Sequence, residues 1–248
     1  MTVPSITDEA TEGWRYYLKR PVIVIFFLGF SGGLPFPLVY STLTYWLAEA
    51  DIQRSTISTF AWLGFAYSFK FLWSPLVDAV RLPLLSRWLG HRRAWLLVAQ
   101  VALMVSLLSL AVVDPALEMA IFATIALAVA FMSATQDIVI DAYRIESAEV
   151  RLQGVMAASY QYGYRVGVLM ATTGALLIAD NSSWSMAYQA MALCMAVGMI
   201  TTFMCHEPVV HDPLSSRLEG DAYKKLRGWI FIALVEPFVD FVRRYKGW

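Results

Sequence analysis

The chain has 248 residues, of which 58% are hydrophobic and only 15% are charged. Soluble domains carry about 45–50% apolar and about 25% charged residues, so this composition argues against a soluble domain and favours lipid as the solvent. Lys and Arg balance Asp and Glu at a net charge of zero, which gives no electrostatic basis for a nucleic-acid partner.

Six stretches are long and apolar enough to be membrane-spanning helices. A spanning helix needs about 20 mostly apolar residues, and its backbone polar groups are hydrogen-bonded within the segment. We predict an all-α membrane protein with a cytoplasmic tail over 1–20 and a six-helix transmembrane bundle over 21–205. In chain order the predicted spans are 21–47, 56–77, 94–113, 116–140, 154–179 and 184–204.

The basic residues lie almost entirely on one side of the predicted bundle. Sixteen of the 19 Lys and Arg residues fall in the N-terminal tail, in the loops after the second and fourth spans, and after the sixth span. Arg54 is the one cation in the loops of the other side, and Lys70 and Arg165 lie within spans. Because cytoplasmic loops are enriched in Lys and Arg, this asymmetry predicts that both termini are cytoplasmic.

The region over 206–248 is predicted to be cytoplasmic. It begins as a polar linker, and apolar residues at helical spacing follow over 228–246, closed by basic residues. Glu236, Pro237 and Asp240 within this stretch argue against a seventh span. We therefore predict an amphipathic helix that lies on the inner membrane surface.

Three ionisable side chains lie deep within the predicted spans, where charge costs free energy and marks candidate functional residues. Lys70 is about 10 Å from the inner end of its span, within reach of the headgroups by snorkelling. Asp137 has a similar depth, so a Lys70–Asp137 pair is geometrically feasible. Arg165 is about 16 Å deep. We expect it to face the bundle interior or a water-filled cavity and to meet an anionic partner.

Asp137 and Asp141 share one face of the fourth predicted helix, with Gln136 beside the first. A carboxyl group in such a place is able to bind and release a proton as it moves between wet and dry surroundings. The alternative is a structural ion pair or a helix-end cap against the basic loops. We favour proton chemistry for Asp137 and a structural role for Asp141.

The fifth predicted span carries a polar and aromatic patch of Tyr160, Gln161, Tyr164 and Arg165. Residues four apart on a helix are neighbours, so Tyr160 lies beside Tyr164 and Gln161 beside Arg165. Such a patch is suited to stacking on, and hydrogen-bonding to, a sugar or a peptide. Tyrosines that simply pack at the interface are the alternative.

Glycines on the first span have a structural interpretation. Gly29 and Gly33 are four apart, and small residues also recur every four positions on the fifth span, which predicts close helix packing. Pro35 and Pro37 are expected to break or kink the first helix. Broken helices often line substrate sites in transporters, but they also occur for packing alone.

The sequence gives little support for enzyme chemistry. The three histidines lie in predicted loops without metal-ligand spacing, and neither a nucleophile elbow nor a glycine-rich phosphate loop is present. We predict no enzymatic activity, no cofactor and no metal site.

The loop after the second span resembles that of the major facilitator superfamily. The family pattern is Gly-x-x-x-Asp-Arg/Lys-x-Gly-Arg/Lys-Arg/Lys, an interhelical charge latch. Here Asp78 is followed by a basic loop that ends in Arg92 and Arg93, although Ser74 replaces the first glycine and extra residues precede Gly90. The resemblance implies a gating or structural role for Asp78, Arg92 and Arg93.

A closer resemblance links the chain to the AmpG muropeptide permeases and the related acetyl-coenzyme A transporters. It rests on GFSGGLP at 29–35, FKFLWSPLVD at 69–78, SATQDIVIDA at 133–142 and YGYRVG at 162–167. The resemblance implies the N-terminal half of a major facilitator fold. The residues that match family positions, and are candidates for coupling or cargo contact, are Lys70, Gln136, Asp137, Asp141 and Arg165.

This resemblance also implies a function, that of a proton-driven importer of anhydro-muropeptides in the bacterial inner membrane. Such a protein serves cell-wall recycling and is linked to β-lactamase induction. Its partners are the lipid bilayer, protons, a muropeptide-like small molecule and a second six-helix half, without which we expect no transport. Alternatives are an acetyl-coenzyme A or drug-like anion transporter and a non-transporting membrane scaffold or sensor subunit.

Overall fold

The computed structural model describes residues 14–147 and 150–208, and over these ranges the secondary structure is helical without any strand. Five helices in this part of the chain are long and apolar enough to cross a membrane. The predicted amphipathic helix over 228–246 lies outside the described residues. The five helices are α1 (Arg20–Glu49), α3 (His91–Val112), α4 (Met119–Glu146), α5 (Gln153–Asn181) and α6 (Trp184–Met204).

The region predicted as the second span is helical only in short pieces. Residues 54–79, here called the α2 segment, comprise five consecutive turns or short helices of three to six residues. The backbone leaves α-helical geometry at Phe69, and Pro75 stands at the start of the last piece, Ser74–Ala79. The structure thus confirms an all-helical bundle, whereas six continuous spans remain a prediction.

Helix α1 is interrupted where its two prolines lie. Its pieces are Arg20–Gly33, Pro35–Val39 and Ser41–Glu49. Proline lacks a backbone N–H and therefore leaves carbonyl groups without their helical partner. The Tyr188 hydroxyl of α6 donates to the carbonyl oxygen of Leu38 at 2.7 Å, inside the interrupted region. A side chain of a neighbouring helix thus hydrogen-bonds the backbone within the interrupted region.

Helices α1 and α5 pack against each other through bare backbone. A Cβ atom added at any of four glycines would overlap a backbone carbonyl oxygen of the other helix. Small residues at four-residue spacing allow such close approach in membrane helices. The four positions are Gly29, Gly33, Gly163 and Gly167.

We expect Gly163→Ala to lower the free energy of unfolding by about 1–3 kcal/mol, because the added methyl group overlaps α1 and separates the helices. Gly154→Ala is the matched control on the same helix, since an added methyl there meets no atom within 4 Å. Thermal unfolding of the purified chain in detergent compares the two variants. Equal midpoints would show that close α1–α5 packing does not stabilise the bundle.

The remaining helices complete the bundle around α1. Helix α3 packs on α4 and α6, α4 and α6 both contact α1, and the α2 segment lies along α4. A hydrogen bond from the Trp73 indole to Thr135 joins the α2 segment to α4 at 3.2 Å. Where α1, α3 and α5 begin and α4 and α6 end, charged side chains gather, and we call this the charged end of the bundle.

Two apolar clusters fill the bundle, one on each side of a polar layer. The cluster nearer the charged end includes Leu28 and Leu96, and the other includes Leu34 and Leu103. Between them, at one depth on α1, α3, α4 and α6, lie four side chains with 0% exposure. They are Ser31, Gln100, Gln136 and Thr202.

Candidate functional site

The carboxyl group of Asp137 lies in the middle of the bundle, nine residues or about 14 Å of helix rise from the charged end of α4. Its Oδ1 atom is buried and has no hydrogen-bond partner among the described residues. Gly32 of α1 leaves room for it, since a Cβ there would stand 3.3 Å from Oδ1 and 3.6 Å from the Tyr160 hydroxyl oxygen. Three helices therefore meet at this carboxyl group.

Several ionisable side chains surround Asp137 without bonding to it. Lys70 of the α2 segment is half-buried and interacts electrostatically with the carboxyl group, but no ion pair within 4.0 Å joins them among the described residues. Lys70 and Asp137 are therefore near each other but do not form an ion pair. The other ionisable groups that interact with Asp137 are Tyr67 of the α2 segment, Asp141 of α4, and Tyr160 and Tyr164 of α5.

The patch predicted on α5 divides into two parts. The rings of Tyr160 and Tyr164 lie 6.0 Å apart, are half-buried and turn toward Asp137. Gln161 and Arg165 are exposed on the outside of the described helices, so Arg165 does not lie within this bundle. The guanidinium group makes no ion pair with the residues that the structure describes. A cationic and amide-bearing surface thus borders the two tyrosines.

Gln136 and Asp141 lie in different surroundings from Asp137. The Gln136 amide nitrogen donates to the Ser31 hydroxyl at 3.0 Å, and the side chain is fully buried between α4 and α1. Asp141 is 47% exposed and lies 3.8 Å from Arg144 on its own helix. Asp137 is therefore the carboxyl group of α4 that combines burial with the absence of a bonding partner.

The charged end is organised around Arg92, whose side chain is 8% exposed. Its guanidinium group binds Asp78 at 2.5 Å and both carboxylate oxygens of Glu146 at 2.5 and 2.9 Å. Bidentate arginine–carboxylate pairs are among the stronger charge-assisted hydrogen bonds. Asp78 and Arg92 were predicted at this place, whereas Glu146 was not singled out. The feature of the sequence that could have identified Glu146 is its position at the end of α4, beside the basic loops.

Glu207 caps the first turn of α3. Its carboxylate accepts hydrogen bonds from the backbone N–H groups of Arg92 and Arg93, at 2.8 and 3.2 Å. A carboxylate is favourable there because the N-terminal N–H groups of a helix lack helical partners. Gly90 has a positive φ of 92°, and a Cβ at this glycine would overlap the Glu207 side chain. Glu207 lies in the predicted linker, where no sequence pattern marks it as a cap.

Arginines also bind the C-terminal end of α6. Arg93 donates to the carbonyl oxygens of Thr202 and Phe203, both at 3.1 Å, and Arg20 donates to that of Met204 at 3.0 Å. The last carbonyls of a helix lack helical partners and favour cations. Arg93 therefore stabilises the α3–α6 contact.

Among the described residues, no three His, Cys, Asp or Glu side chains are placed to hold a metal ion.

Comparisons with known proteins match this helical bundle to membrane transporters. The family model described as acetyl-coenzyme A transporter 1 matches residues 21–211. "Anhydromuropeptide permease" of Escherichia coli strain K12 is 35% identical over 235 residues, which are 94% of this chain and 45% of that protein. "Putative transporter AmpG 4" of Rickettsia felis is 33% identical over 223 residues, 89% of this chain and 52% of that protein.

The apolar helices and the transporter matches indicate an integral membrane protein whose relatives are named as transporters and permeases rather than as enzymes. The chain belongs to the acetyl-coenzyme A transporter 1 family, within which it is similar to the AmpG-type permeases. It spans about half the length of the curated relatives it matches.

Proposed function

We propose that this chain is part of a proton-coupled importer of anhydro-muropeptides, in which Asp137 carries the proton. The observation that carries the proposal is the buried Asp137 oxygen, which has no hydrogen-bond partner in the described part of the chain and lies in the polar middle of the helical bundle. A carboxyl group binds or releases a proton when its surroundings alternate between dry and hydrated. The similarity to the E. coli anhydromuropeptide permease supports the choice of cargo.

Cargo contact is assigned to the α5 surface. The half-buried rings of Tyr160 and Tyr164 offer apolar faces for a sugar ring, with hydroxyl groups at their edges. Exposed Arg165 and Gln161 supply a fork of N–H donors and an amide beside them. A muropeptide combines sugar rings with peptide carboxylates, so one molecule is able to use both parts of this surface. Lys70, close to Asp137, is proposed to bias the carboxyl group between its protonation states.

The transport pathway requires a second group of helices opposite this bundle. In major facilitator transporters the substrate lies between two six-helix halves near the midplane of the membrane. We propose that such a half, in the same polypeptide or in a partner chain, faces the surface that carries Tyr164 and Arg165. The relatives are about twice as long as the region they share with this chain, which supports the proposal.

The charged end is proposed to face the cytoplasm of a bacterial cell, with the chain in the inner membrane and both termini inside. Basic side chains concentrate there, whereas Arg54 lies at the opposite end, at the start of the α2 segment. An excess of Lys and Arg marks the cytoplasmic side. The arginines of this end whose side chains the structure describes are Arg20, Arg81, Arg87, Arg92, Arg93, Arg144 and Arg151.

The test is an uptake assay in cells that lack their own muropeptide permease. This chain is expressed alone and together with the part of the E. coli relative that the match does not cover. We expect labelled anhydro-muropeptide to accumulate only with both parts, and an uncoupler that collapses the proton gradient to stop it. Acetyl-coenzyme A is assayed as a second cargo, because the Arg165 guanidinium group is also suited to binding phosphate. Uptake of acetyl-coenzyme A without uptake of the muropeptide would overturn the cargo assignment. Uptake of neither compound would favour a scaffold or sensor.

A further inference from the structure

A layer of polar side chains crosses the bundle directly behind Asp137. On α4 and α1 it contains Gln136 and Ser31, whose side chains are joined by a 3.0 Å hydrogen bond. On α6 and α3 it contains Thr202 and Gln100, joined by a 2.9 Å hydrogen bond from the threonine hydroxyl to the amide oxygen. All four side chains are fully buried. The two pairs thus connect four helices in two separate hydrogen bonds.

The two pairs leave complementary groups unpaired. Among the residues that the structure describes, the amide nitrogen of Gln100 is a buried donor without an acceptor, and the amide oxygen of Gln136 is a buried acceptor without a donor. Both pairs converge at Gly198 of α6, because a Cβ there would overlap the Ser31 hydroxyl and stand 3.0 Å from the Gln100 amide nitrogen. A buried polar group without a partner is costly in an apolar interior. The strongest stabilisation available to both amides is a link between them.

We propose that Gln100 is a positioning residue for Asp137. Its amide nitrogen and the Gln136 amide oxygen are linked beside the Ser31 hydroxyl through one water molecule, and this link fixes the register of α4 against α1, α3 and α6. No side-chain contact between Gln100 and Asp137 is required.

The link acts on Asp137 through its chain neighbours. Gln136 directly precedes Asp137 on α4, and Ser31 directly precedes Gly32, the residue that faces the Asp137 Oδ1 atom. A bond that holds Gln136 to Ser31 and Gln100 therefore holds the carboxyl group against Gly32. The surrounding groups are those that interact with Asp137 electrostatically, namely Lys70, Tyr67, Asp141, Tyr160 and Tyr164.

A stability cycle tests the link without reference to transport. Gln100→Met and Gln136→Met each keep the shape of the side chain and are each expected to lower the thermal midpoint by about 5 °C, because each leaves the other amide unpaired. The double variant is expected to lose less than the sum of the two single losses, since neither amide is then left without its partner in the link. Additive losses would overturn the link. Gln189→Met, a half-buried glutamine of α6 outside the layer, is the matched control.

The positioning role rests on the proposed function of Asp137 and has its own readout. In the two-part uptake assay, Gln100→Met is expected to shift the pH of half-maximal proton-driven uptake by about half a unit, with the KM for cargo unchanged. A fall in uptake without any shift in the pH profile would show a purely structural role. If Asp137→Asn leaves proton dependence intact, the proposed function fails, whereas a non-additive stability cycle would still establish the link.

Discussion

Replacing Asp137 with asparagine is expected to abolish proton-driven uptake while leaving downhill exchange of cargo in place. The substitution keeps the shape of the side chain but removes its capacity to take up and release a proton. Within residues 14–147 and 150–208, Asp137 has a buried oxygen without a hydrogen-bond partner and forms no ion pair, so its charge state is not tied to a fixed partner there. Coupling, rather than folding, is therefore the property that the variant loses.

Two assays measure the effect of Asp137→Asn. The first is uptake of labelled muropeptide across an imposed pH gradient. The second is exchange of external for internal labelled muropeptide without a pH gradient. Asp141→Asn is the matched control on the same helix face. That carboxylate is half-exposed and lies near Arg144, so its loss is expected to leave most of the gradient response. Accumulation by Asp137→Asn against the gradient, with its pH dependence retained, would exclude Asp137 as the coupling group.

Replacing Arg92 with methionine is expected to cost the largest amount of stability of any single change at the charged end, about 3 kcal/mol. The guanidinium group is nearly buried and is the shared partner of Asp78 and Glu146. Its removal leaves two carboxylates facing each other, one of them only 22% exposed, without a compensating cation. The contacts among the α2 segment, α3 and α4 weaken together.

Thermal unfolding in detergent measures the effect of Arg92→Met. Arg87→Met is the matched control, because that arginine is exposed and such surface changes usually alter stability by less than about 0.5 kcal/mol. Adding Asp78→Asn and Glu146→Gln to Arg92→Met is expected to restore part of the loss, since the unpaired charges disappear. If the triple variant unfolds at the same temperature as Arg92→Met, packing of the arginine stem rather than its ion pairs stabilises this end.

The long helices, and the interruption in one of them, follow directly from the amino-acid sequence. Runs of about 20 apolar residues predict spanning helices whatever their neighbours, because the backbone must satisfy its hydrogen bonds within each segment. Pro35 and Pro37 likewise interrupt α1 for a local reason. The α2 segment is the exception, since its hydropathy predicted one continuous helix where the structure has short turns.

Which polar side chains meet was decided by tertiary structure. Similar depth made a Lys70–Asp137 pair geometrically feasible, but the packing of the α2 segment on α4 leaves the two side chains without an ion pair. Depth along a helix is a property of sequence, whereas the rotation of one helix about its axis relative to another is set by packing. The same reason explains why Glu207 was missed as the cap of α3.

The sequence by itself determined the class of membrane protein, the long helices and the candidate charges within them. Only the tertiary structure decided that Gln136 is buried against Ser31, that Arg165 lies outside the described bundle, and that the Asp137 oxygen has no partner. Apolar burial and backbone hydrogen bonding act along one segment and can be read locally. A hydrogen bond between side chains requires two helices to arrive at the same place in the correct rotation, and that depends on the packing of the whole bundle.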